Sequence, residues 1–279
     1  MWRYLFSRIT LFMATSLVMV AVLFMASGQF PVSKAYSLSG VQYPTLEQQQ
    51  QIEQDYQLHD NQLLQFTAYL RQRLSGNFGI SSNSQQEVLE ELEAVLPASF
   101  ELSLFSGFIA VFFGVPIGVL AALGNNKALQ RSILAITLTG YSIPVFWLGL
   151  TLSMWFGVNL GWLPISGQIN LLYEIEPVTG FMLVDTLLSD SSYRIPAFHD
   201  ALLHLILPAV TLAVLPFTLV VRITRQAILN VMNQTYIRAA EARGLHTAKI
   251  LLRHVLPNAL IPVIKSIGLM LGSLALWLK

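Results

Sequence analysis

The sequence predicts an all-α integral membrane protein with five transmembrane helices and an external segment after the first. Three observations point there. The chain is 54% hydrophobic and only 11% charged, with a mean hydropathy of +0.59, whereas a soluble domain carries roughly 25% charged residues. Five stretches approach the ~20 apolar residues that a bilayer core requires of a helix. The charged residues between them sort onto alternate sides. A soluble enzyme and a disordered chain are both excluded by this composition. A net charge of +1 gives no global field for nucleic acid. With no Cys, disulfides, thiolate chemistry and Cys-based zinc sites are excluded.

The five stretches are residues 9–27, 99–123, 132–157, 202–221 and 256–277. In a bilayer every backbone N–H and C=O must be bonded internally, so each is expected to be helical. Buried helices of a large soluble protein would need more polar chain than remains to wrap them. The first stretch follows Arg3 and Arg8 and ends at Ala26-Ser27-Gly28, which resembles a secretory signal and its cleavage site. Its apolar part is 18 residues, longer than the usual 7–15, so a retained helix is favoured.

Charge sets the orientation. Residues 1–8, 124–131 and 222–255 hold ten basic residues (Arg3, Arg8, Lys127, Arg131, Arg222, Arg225, Arg238, Arg243, Lys249 and Arg253) and one acid, Glu241. Residues 28–98 and 158–201 hold four basic residues and thirteen acids. The basic side should be cytoplasmic. The N-terminus is then inside, and five alternating helices need no reversal.

The external segment 28–98 is too long for a simple connection. Residues 45–74 read as helical, with a break at His59-Asp60-Asn61. Ser75 to Gly79 is a turn. The stretch 85–96 is acidic and amphipathic, and Pro97 leads into the second span. The division expected is 1–98, a first helix plus external segment, and 99–279, a membrane domain. The second external loop, 158–201, places Trp162 at an interface and carries Glu174, Glu176, Asp185, Asp190 and Asp200. It is either an ordinary solvated loop or an acidic mouth that concentrates cationic solutes.

The segment 222–255 is the informative one. Tyr236-Ile237-Arg238-Ala239-Ala240-Glu241-Ala242-Arg243-Gly244-Leu245 reads as a helix ended by a C-terminal glycine. A second helix should follow from Thr247, with Ile250, Leu251, Leu252 and Val255 as its apolar face, until Pro257. Ala239, Ala240 and Ala242 permit close approach by another surface. Attraction of a basic loop to anionic lipid accounts for the arginines but not for the alanines and the glycine.

These residues resemble the "EAA" loop of type I ABC importer permeases. Gly244 lies four after Ala240, and Leu256-Pro257 begins twelve after Gly244. Arg238 stands where the family usually has Glu, and His254 where it has an Ile before Leu-Pro. The Arg variant and the pattern Tyr236 to Leu245 resemble the dipeptide/oligopeptide branch. Pro97 to Leu102, Gly114 to Leu123, Ser142 to Leu148 and Gly161 to Pro164 agree with that branch. Leu171 to Glu174, Pro177, Thr179 to Phe181, Asp185 and Leu188 to Ser191 narrow the resemblance to Sap-type peptide permeases. The family continues past a fifth helix to a sixth. A chain ending at Lys279 therefore reads as a permease truncated or frameshifted before its last helix. Lys265 lies where the family is normally uncharged. It would reach an interface if that helix began at Pro262.

The resemblance implies a multi-pass subunit of a bacterial inner membrane, surrounded by membrane lipid. It forms half of the translocation path of an ATP-driven peptide transporter, with a part in antimicrobial peptide resistance. It implies a second permease subunit, two cytoplasmic ABC ATPase subunits that bind the ATP, and a periplasmic substrate-binding protein. The cargo is a peptide or another small cationic solute. Tyr236, Arg238, Ala239, Ala240, Glu241, Ala242, Arg243, Gly244 and His254 would dock an ATPase. Ser142, Pro144 and Trp147 are candidate path-lining residues, and Gly114–Gly118 and Gly268–Gly272 are candidate packing motifs. No catalytic residues, metal ligands, nucleic-acid contacts or cofactor of this chain's own are expected, since no Walker motif or HExxH occurs. A secondary transporter or channel, and a non-functional truncated permease, are the alternatives. The former would need intramembrane ionisable residues, of which only Glu101, His204 and Lys265 are near.

Overall fold

The computed structural model describes residues 2–27, 34–124 and 126–277, with side chains for all of these but 247 and 269–277. Gly28 of the signal-like site, and Lys279, lie outside them. Among the described residues there is no strand, only an isolated bridge between Ile80 and Glu87. The chain divides into two compact units, Met1–Val95 and Leu96–Lys279.

In the first unit, helix α1 (Trp2–Ser27) buries none of its 26 residues. At 1.5 Å per residue it is about 39 Å long, more than the ~30 Å of a hydrocarbon core. Three short helices follow: α2 (Lys34–Ser39), α3 (Leu46–Asp55) and α4 (Gln62–Leu74). Thr45 starts α3 with a reciprocal cap. Its hydroxyl accepts the Gln48 N–H at 3.3 Å, and Gln48 Oε1 accepts the Thr45 N–H at 3.0 Å. Asn61 caps α4 through the Leu64 N–H, so the break expected at 59–61 is present. Ala35, Leu38, Ile52 and Tyr56 form a small core. Arg73 lies over the Tyr69 ring and donates to the carbonyls of Leu38 and Asn77. The turn at 75–79 has Gly76 and Gly79 at positive φ.

The second membrane-length helix, α5 (Val88–Leu123), is longer than the sequence suggests. The acidic stretch does not stop at Pro97. It is the first part of the same helix, and Pro97 sits inside it. Proline frees the carbonyl four residues back, here that of Glu93, an exposed residue that water can serve. The expected boundary at 98/99 therefore falls within one helix.

The third span corrects the expectation of one continuous helix over 132–157. It is α6 (Lys127–Ser142) and α7 (Val145–Leu152), the latter continuing in wide π-type turns over Ser153–Asn159, and the two parts are bent by 100°. Pro144 forces the preceding residue out of the α region. Ile143 accordingly sits at φ −80°, ψ 127°. Four described helices are long and apolar enough to cross a membrane, or five if this bent pair counts as one span.

A short helix, α8 (Met182–Leu188), precedes α9 (Arg194–Met232). At 39 residues, α9 runs far beyond the expected 202–221. Val221, Thr224, Ala227 and Ile228 continue its buried face, so the first part of the segment assigned to a basic loop is helix. Pro208 and Pro216 lie inside α9 without ending it. The chain closes with α10 (Thr235–Ala242), α11 (Thr247–Ile250), a π turn at Leu251–Val255 and α12 (Leu256–Trp277). The helix after Gly244 does not end at Pro257. It continues through Pro257 and Pro262, so Lys265 is not in a first turn. It lies about 13 Å along α12 and is exposed.

Helix α9 is the centre of the second unit, and α5, α6 and α7 meet it at glycines. A Cβ on Gly118 of α5 would lie 2.7 Å from Thr224 Cβ and 2.8 Å from the Val221 carbonyl, and one on Gly114 2.8 Å from Val220 Cγ1. Gly140 of α6 faces Val214 and Gly149 of α7 faces Thr211, each at 3.3 Å. Such small residues let backbones approach in a membrane, where packing rather than water drives association. The Gly114–Gly118 motif is thus a packing seam. Gly268 meets no atom within 4 Å, and the side-chain position of Gly272 lies outside the described residues. Thr218 adds an interhelical bond, its hydroxyl 3.1 Å from the Thr137 carbonyl.

Candidate functional site

The segment after α9 forms an elbow. Helix α10 ends in a Schellman turn: the Gly244 N–H donates to Glu241 O at 2.9 Å and the Leu245 N–H to Ala240 O at 3.3 Å. Gly244 has φ +76°, a conformation that costs an L-residue roughly 1–2 kcal/mol. Nothing lies within 4 Å of where its Cβ would be. Glycine is therefore needed for backbone reasons alone.

The elbow is anchored from within. Ile237, Ile250 and Val255 are at most 2% exposed and share one apolar cluster with Val220, Ala227, Ile228, Ala259 and Val263 of α9 and α12. That leaves Arg238, Ala239, Glu241, Ala242, Arg243 and Gly244 on the outer face, with Tyr236 45% exposed. Of the three alanines expected to face outward, Ala240 packs against the chain's own cluster instead. It lies three residues after Ile237 and so shares that residue's buried face. Ala239 and Ala242 are the small residues presented. His254 is half-buried in the π turn. Its carbonyl accepts from Asn258 Nδ2 at 2.7 Å, and the same nitrogen lies 3.4 Å from the Tyr236 hydroxyl. Asn258 thus ties the start of α10 to α12. No local pattern in the sequence marks Asn258 for this role.

The path candidates sit at the break between α6 and α7. Ser142, Pro144 and Trp147 are exposed, and the Ser142 hydroxyl is spent on Leu138 O at 3.1 Å. The cavity beside them, about 470 Å³, is lined by their neighbours Phe146 and Gly149, with Ser153, Ile165, His204 and Thr211.

The acidic loop is only partly a solvated surface. Glu174, Glu176 and Asp190 are exposed. Asp185 is not: it is 2% exposed, and so leaves the proposed acidic mouth. Its Oδ1 accepts the Thr179 hydroxyl at 2.6 Å and the Thr179 N–H at 2.8 Å, and its Oδ2 accepts the Gly180 N–H at 2.9 Å. Burial pushes its pKa up, but the bonds from Thr179, Gly180 and Val178 prevail and hold it below the ordinary carboxylate value. The carboxylate folds the loop over 178–185. A second carboxylate, Glu101 of α5, accepts the Leu183 N–H at 3.0 Å and so caps α8 from another helix.

Among the described residues no group of three or more His, Asp or Glu is arranged to hold a metal.

The profile of the binding-protein-dependent transport system inner membrane component family matches residues 114–278. The chain is 45% identical over 210 residues to the di/tripeptide transport system permease protein DppB of Pseudomonas aeruginosa, covering 75% of this chain and 62% of that protein. It is 45% identical over 201 residues to the peptide transport system permease protein SapB of Salmonella typhimurium, covering 72% and 63% respectively. It is also 45% identical over 198 residues to the putrescine export system permease protein SapB of Escherichia coli K12, covering 71% and 62%. The chain spans less than two thirds of the length of these relatives. The matched profile covers the seam of α5, the bent span, the central helix and the elbow, and the chain belongs to the family of inner membrane components of binding-protein-dependent transport systems.

Proposed function

We propose that this chain is an inner-membrane permease subunit of an ATP-driven transporter whose cargo is a peptide or a small amine. Two such subunits form the path, two cytoplasmic ATPases drive it and a periplasmic binding protein delivers cargo. ATP binds to the ATPases and not to this chain. Its N-terminus is cytoplasmic, which places the elbow inside and the loop of Asp185 outside.

The observation that carries the reading is the elbow. Its inner side is one apolar cluster with α9 and α12, while its outer side offers two alanines flanked by Arg238, Glu241 and Arg243. A close-fitting, charged, rigid knob is what converts closure of an ATPase dimer into movement of spans. Ala239 and Ala242 give closeness, the arginines pair with acids of the groove, and Gly244 sets the angle. Coexpression with the ATPases tests this. Gly244→Val keeps every side chain of the knob but strains its turn, so the ATPase should no longer copurify and uptake should cease. Recovery of the ATPase at the wild-type amount overturns the docking role.

A further inference from the structure

A cavity of about 210 Å³ lies between the start of the apolar part of α5, the N-terminus of α8 and α9. Ser99, Glu101, Gln168, Met182, His204 and Pro208 are among its lining residues, and no Lys or Arg is. Glu101 is the one acid in the membrane-length part of α5. Its Oε1 is committed to the Leu183 N–H, while the remaining lone pairs of the carboxyl group can accept a further donor. His204 has an 8% exposed side chain. Its Nδ1 lies 2.9 Å from the Asp200 carbonyl, which can only accept, so Nδ1 carries a proton. In the neutral ring Nε2 is then an acceptor. Nδ1 also lies 3.3 Å from Asp200 Oδ2, which accepts the Asn170 N–H at 2.7 Å. The wall therefore offers acceptors and negative charge with no fixed cation against them. His204 also borders the larger cavity beside α7, so the ring stands between the two spaces.

We propose that this cavity is a subsite for a protonated amine, the ammonium end of a cargo molecule, with Glu101 as its counter-ion. Its volume is below the ~300 Å³ of a whole-ligand pocket, which suits one end of a cargo rather than all of it. A carboxylate in a low-dielectric wall attracts an ammonium far more strongly than it does in water. The inference rests on the transport reading above, and it names the chemical group that the outer half of this subunit selects.

The test is uptake by cells expressing the complete transporter, using labelled tri-alanine, N-acetyl-tri-alanine and putrescine. Glu101→Gln keeps an acceptor for the Leu183 N–H and removes the charge. It should raise KM for tri-alanine or putrescine roughly 10- to 100-fold, the range of a lost charge-assisted bond. KM for the acetylated peptide should stay within about twofold. Gln168→Lys, at an exposed lining position, places a fixed ammonium in the cavity without touching the α8 cap and should give the same pattern. If Glu101→Gln fails to assemble, Gln168→Lys alone decides. Unchanged KM for the free amines in an assembled variant overturns the subsite and leaves the transport reading standing. A wild-type chain that moves none of the three cargoes overturns the transport reading itself.

Discussion

Adding one methyl group to the seam between α5 and α9 has a cost set by the geometry. In Gly118→Ala the new carbon would lie 2.7 Å from Thr224 Cβ and 2.8 Å from the Val221 carbonyl. Carbon atoms prefer about 3.5–4.0 Å, so the shortfall approaches about 1 Å. The Val221 oxygen is backbone and cannot turn aside, so α9 itself must move. Overpacking of this kind costs about 1–3 kcal/mol. The change from Gly to Ala in a helix returns at most about 1 kcal/mol. Gly268→Ala is the matched control, because nothing lies within 4 Å of its Cβ position and only the helical gain applies. The helical gain is common to both, so the two variants should differ by the clash alone, about 1–3 kcal/mol. Thermal unfolding of the purified chain in detergent, followed by tryptophan fluorescence, should show Gly118→Ala lower by roughly 2–12 °C than Gly268→Ala, taking ~2–4 °C per kcal/mol for a chain of this order. Equal midpoints, or a higher one for Gly118→Ala, refute the seam.

Asp185→Ala should release the loop over 178–185. Three donors lose a buried acceptor, and a loss of about 2–3 kcal/mol should speed hydrogen exchange at the Thr179 and Gly180 amides roughly 30- to 150-fold; wild-type exchange rates refute the role. The same carboxylate sets a pH dependence. Its folded pKa is lowered, so its contribution is fully present above the ordinary value of about 3.9 and is lost as pH falls through the lowered one. Protection at those amides should hold at pH 5 and fail only below about pH 4, and loss between pH 5 and 7 contradicts the assignment. Thr218→Val removes the bond to Thr137 with little change of shape. Interhelical polar contacts in membranes average about 0.6 kcal/mol, so its unfolding midpoint should fall by less than about 3 °C, and a larger fall contradicts so modest a role.

What was legible in the sequence followed from local rules. The glycine after Ala242-Arg243, the break at His59 to Asn61 and the small-residue spacing Gly114 to Gly118 each have a mechanism within a few residues. All three are in the fold. The rest depends on packing that a local pattern does not fix. Pro97 reads as a helix boundary, yet the helix passes through it. Its ring packs where Gly180 leaves room, since a Cβ there would be 2.7 Å from Pro97 Cγ. Asp185 reads as a surface acid until Thr179 and Gly180 fold around it. Ala240 reads as a docking residue until Ile237 turns that face inward. Arg222 and Arg225 read as the start of a loop, which would end the fourth span at Val221. Arg225 instead directs its Nε–H to the Ala121 carbonyl at 3.2 Å, and the apolar face between the arginines keeps the helix going. The Glu101 cavity had no local signature at all, because α8 and α9 supply its other walls.

The shared cluster also imposes an order on synthesis. Ile228 on α9 shares one buried cluster with Val255, Ala259 and Val263, and Val263 is made 35 residues after Ile228. At ~5–20 residues per second that is a wait of roughly 2–7 s. During it the lower part of α9 has been made but its seal has not. A chain stopped short of Val255 would leave that apolar strip of α9 without its seal, so the stretch after the elbow completes the fold of a helix made well before it.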